Sequence, residues 1–392
     1  MKLTAGFRLG RIFGIELILA WSLLLAFALI AGSLASIVFP RWHPDWSAGL
    51  IWATSSIAAA LFLASILLHE LAHAVTGRWF GTPVRRITLF LFGGMAQLDH
   101  EPRTWQAELS IAAAGPACSL ALGLLCLYAA EWIGGPFVGD PAQPQAILAA
   151  MGPATSLLLW LGSINIILAI FNLVPAFPLD GGRILRALMW GASGDLLQAT
   201  RWAALSGQAF GWVLAGAGFL MLLGTQLPYL GGGLIGGLWL MLIGWFLHQA
   251  AQVGTRQLLV RHSLQQVPVA ELMRTDLIRV DPHLQIKQLF DHGPAPAAVA
   301  VEDHGRFVGL VSGEDLSAHP APPDTAVEDI MTPSERLPAV TPQQEAFGAL
   351  QQMNGRGLSQ LPVVDGDRLV GLLQREDVLQ WLLLRLRQAR AA

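Results

Sequence analysis

Charged side chains are scarce in this chain. Lys, Arg, Asp and Glu make up 13% of its 392 residues, about half the share of an ordinary soluble domain, which excludes a wholly water-surrounded globule. The charges are also uneven, sparse before Gln252 and ordinary after it, so a membrane domain followed by a soluble one is expected. The net charge of -3 is too small to attract nucleic acid, and no direct nucleic-acid partner is expected. Cysteine is limited to Cys118 and Cys126 within one apolar stretch. On a helix these lie roughly 12 Å apart along the axis, too far for a disulfide, so they read as small packing residues. No cleavable signal peptide is expected: the first apolar run is long and has no clear small-residue cleavage site, and it should persist as a membrane helix.

What the chain has in quantity is long apolar runs. A helix crossing the hydrocarbon core needs about 20 such residues, and six stretches qualify, near 18–39, 50–76, 108–131, 147–175, 203–226 and 230–250. Lys2, Arg8 and Arg11 precede the first; Arg78, Arg85 and Arg86 follow the second, Arg183 and Arg186 the fourth, Arg256 and Arg261 the sixth. The alternate loops carry one such residue, Arg41. Basic residues gather on the cytoplasmic side, so both termini are expected in the cytoplasm and the chain in the plasma membrane.

Two segments are too short to span. The stretch from Phe7 to Ile18 reads as an extended element ahead of the first helix. Val84–Leu98 (VRRITLFLFGGMAQL) has β-rich residues around Gly93-Gly94 and predicts a re-entrant hairpin, tolerated at membrane depth only where protein shields its backbone. Its free edge could pair with an extended peptide. Beyond about residue 262 an internal repeat appears: Val267–Met273 recurs as Thr325–Met331, and Phe307–Leu316 as Leu369–Val378. Two copies of a small α/β unit about a pseudo-twofold axis are expected, near 265–318 and 325–384, within a soluble region 262–388 that follows a membrane domain of 1–255.

The chemistry concentrates in His69-Glu70-Leu71-Ala72-His73, an HExxH pattern near the end of the second apolar run. Helical spacing puts residues i and i+4 on one face, so both imidazoles can reach one zinc ion. Glu70 then adjoins the metal's water and can take its proton. Such an ionisable cluster in an apolar helix is expensive unless paired or liganded and is functional by default, the alternative being a polar cluster in a bundle core or an interfacial cap. With Arg78 at headgroup level, His73 lies about 7 Å and His69 about 13 Å deeper, at 1.5 Å per residue. A third ligand is required, and Asn172–Gly182 (NLVPAFPLDGG) supplies Asp180: Pro175 and Pro178 interrupt the helix, and Gly181-Gly182 suit a tight turn that aims the carboxylate inward. Asn172 reads equally as a contact for substrate backbone or as a polar residue bonding a neighbouring helix. His43, His100 and His248 read as interfacial or solvated.

These residues carry a resemblance that covers nearly the whole chain. With Gly14-Ile15 leading into Trp21-Ser22, His69–His73, Phe92–Ala96 (FGGMA), Ala114-Gly115-Pro116 and Asn172–Gly182, the chain resembles the site-2 proteases, in particular the six-helix branch with a C-terminal pair of cystathionine-β-synthase-type (CBS) domains. The resemblance implies a polytopic α-helical membrane domain with about six spanning helices and a re-entrant β-hairpin, followed by a cytoplasmic α/β tandem CBS module. It implies one zinc ion per chain on His69, His73 and Asp180, Glu70 as the catalytic glutamate, and Gly93 and Gly94 in the element that presents substrate as an added strand. Substrates would be transmembrane or membrane-attached precursors, such as anti-sigma factors or membrane-bound transcription factors, met within membrane lipid. It further implies adenine nucleotide (ATP, ADP or AMP) at the CBS pair, with ribose held by a Ser or Thr three residues before an Asp. Ser312 and Asp315 fit; in the second copy Gln374 replaces the hydroxyl while Asp377 remains. Both acids also suit helix caps. Homodimerisation through the CBS domains is compatible with the resemblance. Two rivals, a CBS-regulated transporter and an inactive membrane receptor, leave the grouping of HExxH with Asp180 unexplained.

Overall fold

The computed structural model describes residues 6–91, 93–98, 102–135, 144–227, 233–290, 298–312, 322, 324–366 and 368–391. The chain forms two compact units, Met1–Thr255 and Arg256–Ala392.

In the first unit, six helices among the described residues are long and apolar enough to cross a membrane: α1 (Ser22–Trp42), α2 (Ala48–Trp79), α3 (Trp105–Gly134), α4 (Pro153–Asn172) and, after the shorter α5 (Asp180–Ser193), α6 (Leu196–Leu222) and α7 (Leu234–Val253). In lipid a helix satisfies its own backbone, which is why long apolar runs take this form. Ends are set locally. Ser47 and Thr104 accept hydrogen bonds from the Leu50 and Ala107 amides, while Asp195 caps α6 through Leu197 and Gln198. Pro153 at the start of α4 suits a first turn that needs no donor, so this helix begins later than the apolar run. Leu25, Leu29, Leu125, Tyr128, Ile167 and Trp212 project outward from the helices, an apolar exterior suited to lipid rather than water.

Glycine lets the helices approach closely. A side chain on Gly123 would meet the Gly162 carbonyl at 2.9 Å, joining α3 to α4. Gly211 faces Gly244 and Gly218 faces Gly237 in the same way, so α6 and α7 touch along a seven-residue spacing. The region of His43 departs from expectation. Rather than solvated, its ring is 2% exposed, stacked on Trp46 at 3.7 Å and hydrogen-bonded to Ser156 Oγ at 2.8 Å. Burial holds this imidazole below its ordinary pKa.

The two short extended segments become one sheet. β1 (Gly6–Ile12) and β2 (Ile15–Ala20) form a hairpin, β3 (Val84–Phe90) and β4 (Gly93–Leu98) a second, and β2 pairs in parallel with β3 to give the order β1-β2-β3-β4. Glu16 lies opposite Arg86 across the β2–β3 join and accepts its Nε–H at 2.8 Å. Arg78, at the end of α2, donates to the Phe13 carbonyl at 2.6 Å in the turn between β1 and β2. Ser22 accepts from the Leu91 amide at 3.2 Å, tying the start of α1 to the second hairpin. One edge of β4 is left without a strand partner among the described residues.

In the second unit the two repeats exchange their leading segments. The Val269 and Arg274 amides of the first copy bond Gln344 and Leu372 of the second, while Val327 of the second bonds Leu284 of the first. The sheets are β5 (Ile278–Val280), β6 (Ala298–Asp303), β7 (Arg306–Ser312) and β8 (Thr332–Pro333), beside β9 (Gln360–Asp365) paired with β10 (Arg368–Gln374). The short strand β8 belongs to the second copy yet closes the first copy's sheet, so neither half is complete alone. Phe307 and Leu310 of the first copy share a core with Leu369 and Leu372 of the second.

Candidate metal centre

The α2 helix carries His69 and His73 one turn apart and buried, and the start of α5 brings Asp180 against them. Asp180 Oδ2 lies 3.1 Å from His69 Nε2 and 3.2 Å from His73 Nε2, and the two Nε2 atoms are 3.2 Å apart. One donor atom from each residue falls within 4.8 Å of the others.

The far side of each imidazole is also engaged. His73 Nδ1 lies 2.6 Å from the Ile111 carbonyl, which can only accept, so Nδ1 carries the proton and Nε2 presents a lone pair. His69 Nδ1 lies 2.9 Å from the Ser119 hydroxyl. Both partners sit on α3. Outer bonds of this kind orient imidazoles toward a metal. Lone pairs and a carboxylate converging on one point repel unless a cation lies between them. Two imidazole nitrogens and one carboxylate oxygen suit zinc. Gly115 provides the room: a side chain there would collide with His73 Nε2 and stand 2.6 Å from His69 Nε2, filling the space a cation needs. The residues present therefore fit a zinc ion.

Asp180 is not placed by a glycine turn, contrary to the sequence-based expectation. Neither Gly181 nor Gly182 has a positive φ, and both lie inside the first turn of α5. Their role is clearance. A side chain on Gly181 would strike the Leu173 and Val174 carbonyls, and one on Gly182 would stand 2.6 Å from the Ala176 carbonyl carbon. Without side chains, the helix start nests against the loop that follows α4.

A cavity of about 630 Å³ opens on the cluster. Glu70, Asn172, Gly93, Gly94 and Arg183 line it, among mostly apolar residues from α1, α2, β3 and α7. Gly94 touches the glutamate: a side chain there would come within 2.8 Å of Glu70 Oε1. Asn172 donates to the Leu168 carbonyl of its own helix at 3.0 Å, not to a neighbouring helix.

The second unit holds the three remaining candidates. Asp377 receives two hydrogen bonds from Arg274, both 2.7 Å, an exposed bidentate pair. The Ser312 side chain and Asp315 lie outside the described residues, as does His100.

Sequence reasoning missed the supports of the cluster. Glu108 is 1% exposed and accepts from Arg186 Nε at 2.7 Å. Arg186 served in the sequence as a marker of the cytoplasmic side, yet it is buried in the protein. A carboxylate at the start of an apolar run was the available signal. Nothing in the local sequence marked Ser119 or the Ile111 carbonyl, because their roles exist only once α2 and α3 pack.

The helices and this donor set define a class: a polytopic membrane protein whose interior holds a two-histidine, one-carboxylate centre beside a glutamate. Comparison with known proteins agrees. Residues 57–215 match peptidase family M50 and residues 327–384 match the CBS domain. The chain is 34% identical over 377 residues to a Mycobacterium tuberculosis protein named zinc metalloprotease Rip3, covering 94% of this chain and 91% of that one. It is 31% identical over 386 residues to the zinc metalloprotease sll0528 by name of Synechocystis, covering 96% and 95%. The solved site-2 protease from Methanocaldococcus jannaschii shares 26% identity over 64% of this chain and 95% of its own, with a TM-score of 0.41. The chain belongs to peptidase family M50, the site-2 protease family: it is a multi-pass membrane zinc metalloprotease with a C-terminal CBS domain.

Proposed function

We propose that His69, His73 and Asp180 hold a single zinc ion and that Glu70 is the general base and acid of peptide-bond hydrolysis inside the membrane. The observation that carries this reading is the convergence of three donor atoms within 4.8 Å, with Glu70 on the same cavity wall. Bound zinc supplies Lewis acidity, polarising the scissile carbonyl and making water a nucleophile near neutral pH. Glu70 takes a proton from that water as its oxygen bonds to the carbonyl carbon. It then gives the proton to the amide nitrogen as the C–N bond breaks.

The substrates are transmembrane or membrane-attached proteins, of which anti-sigma factors and membrane-bound transcription factor precursors are the proposed kinds. A helical substrate must unwind first, because its carbonyls are already engaged. The free edge of β4 offers replacement hydrogen bonds to an extended segment, and Gly94 at its start directs that segment past Glu70. Asn172 retains one amide N–H and a carbonyl oxygen for the substrate backbone. Termini in the cytoplasm of a plasma membrane place the CBS pair where adenine nucleotides are available; nucleotide there would modulate cleavage.

The test is cleavage of a single-span substrate by purified full-length protein in detergent, beside Glu70→Gln, with zinc quantified. Cleavage by wild type alone, with about one zinc per chain in both, is the expected result. Protein that carries no zinc after metal-free purification and reloading would overturn the ligand assignment. Titrating ATP, ADP and AMP into full-length protein tests the CBS reading, which fails without binding at millimolar concentration.

A further inference from the structure

Two arginines on α5 compete for one carboxylate. Arg186 gives Glu108 hydrogen bonds from both Nε and Nη2 and is closed off beneath the Phe177 ring, 6.0 Å from its guanidinium carbon. Arg183, one turn earlier, reaches the same oxygen only at 4.0 Å, beyond hydrogen-bond distance. The carboxylate is thus hydrogen-bonded by Arg186, while Arg183 keeps a longer ion pair with it. The Arg183 charge is not out in water: its side chain is 20% exposed and lines the cavity with Glu70 and Asp180. It follows Asp180 by three residues, so helical spacing puts both on adjoining positions of one face.

We infer that Arg183 is a second catalytic group of the protease, one that binds the substrate's carbonyl oxygen as it becomes an anion and then the new C-terminal carboxylate. The inference rests on the proposed proteolysis. During attack, the water oxygen bonds to carbon, the π pair of the carbonyl moves onto its oxygen, and the water proton passes to Glu70. When the C–N bond breaks, the pair returns to the carbonyl and nitrogen takes the proton. Arg183 exchanges no proton in these steps and contributes hydrogen bonds alone, its fork matching two carboxylate oxygens of the product. Preorganised donors in a low-dielectric cavity favour charge that develops during reaction. Asn172 is a weaker candidate, being neutral and having one N–H committed to Leu168.

The experiment uses full-length zinc-loaded protein in detergent, with Arg183→Gln and Arg183→Lys beside wild type. Arg183→Gln is expected to lower kcat on a single-span substrate by about 100-fold or more, the usual cost of an oxyanion donor, with zinc content unchanged and KM little altered. Arg183→Lys keeps the charge and should recover about a tenth or more of the wild-type rate. A second readout needs no turnover: binding of an N-acetylated apolar peptide with a free C-terminal carboxylate, against its amide, to Glu70→Gln protein. Carboxylate should bind about tenfold better, a preference that adding Arg183→Gln removes. An unchanged preference, a kcat within threefold of wild type, or zinc lost in step with activity would each overturn the inference, the last by making Arg183 structural. Wild type that fails to cleave while the Arg183-dependent preference holds would sink the proteolysis reading and leave the anion site standing.

Discussion

Glu108 on α3 and Arg186 on α5 form a buried ion pair that joins the helix backing both imidazoles to the helix carrying Asp180. Ile111 and Ser119, which hold His73 and His69, lie on the same α3 as Glu108. The spacing of all three donor residues therefore depends on how α3 and α5 dock. Removing one member of such a pair costs about 3–5 kcal/mol, because it strands a desolvated charge. Arg186→Met should lower unfolding stability in detergent by that order and weaken zinc retention. Glu108→Leu combined with Arg186→Met should recover much of the loss, a double-mutant comparison read by thermal unfolding and metal analysis.

Gly115 and Gly94 make opposite predictions for the same change. Gly115→Ala puts a methyl group where the imidazole nitrogens converge, so zinc content should fall well below one per chain and activity with it. Gly94→Ala pushes on Glu70 and leaves the ligands alone, so zinc should stay while kcat drops. Metal analysis beside a cleavage assay separates the two, and equal zinc in both variants would contradict this geometry.

Ser119→Ala removes the hydroxyl behind His69 and leaves its ring free to turn. Loss of an outer-shell partner typically weakens metal affinity about 10–100-fold. Competition with a chromophoric chelator measures it, and Ser119→Thr should restore much of the affinity by returning the hydroxyl.

Glu16 predicts a pH dependence. The hydrogen bond from Arg86 holds its carboxyl below the ordinary glutamate value, against a smaller opposing push from burial, with Arg86, Arg8 and Arg11 adding attraction. A carboxyl with a lowered folded pKa contributes stability that is present above its unfolded pKa and is lost as pH falls through the folded one. The stability of wild type relative to Glu16→Gln should therefore be constant near neutrality and shrink on acidification below the ordinary glutamate range. Unfolding curves from pH 7 downward read this, at modest amplitude because Arg86 and Arg8 are substantially exposed.

Much of the architecture was legible because its physics is local in the chain. Lipid demands long apolar runs of helical length, so the six spanning helices could be located to within several residues. HExxH is a helical pattern whose meaning survives without tertiary information. The hairpins at Gly6–Ala20 and Val84–Leu98 were each readable as extended elements, but not their union, since the parallel β2–β3 pairing joins residues some seventy positions apart. The role of Gly181-Gly182 was misread for a related reason. A glycine pair after two prolines looks like a turn, and only the loop packed against it shows that clearance was needed.

Composition and pattern by themselves determined that this chain is a membrane protein with an internal repeat behind its spanning runs, and that HExxH and Asp180 were the residues to suspect. Tertiary structure alone decided how those residues are served: which carbonyl and hydroxyl back the imidazoles, which arginine is spent on Glu108 and which remains in the cavity, and which sheet edge is open. The division is physical. Spanning and the spacing of the two histidines follow from neighbours along the chain, whereas the third donor, orientation, charge matching and free space follow from groups that meet only when helices and strands distant in sequence pack together.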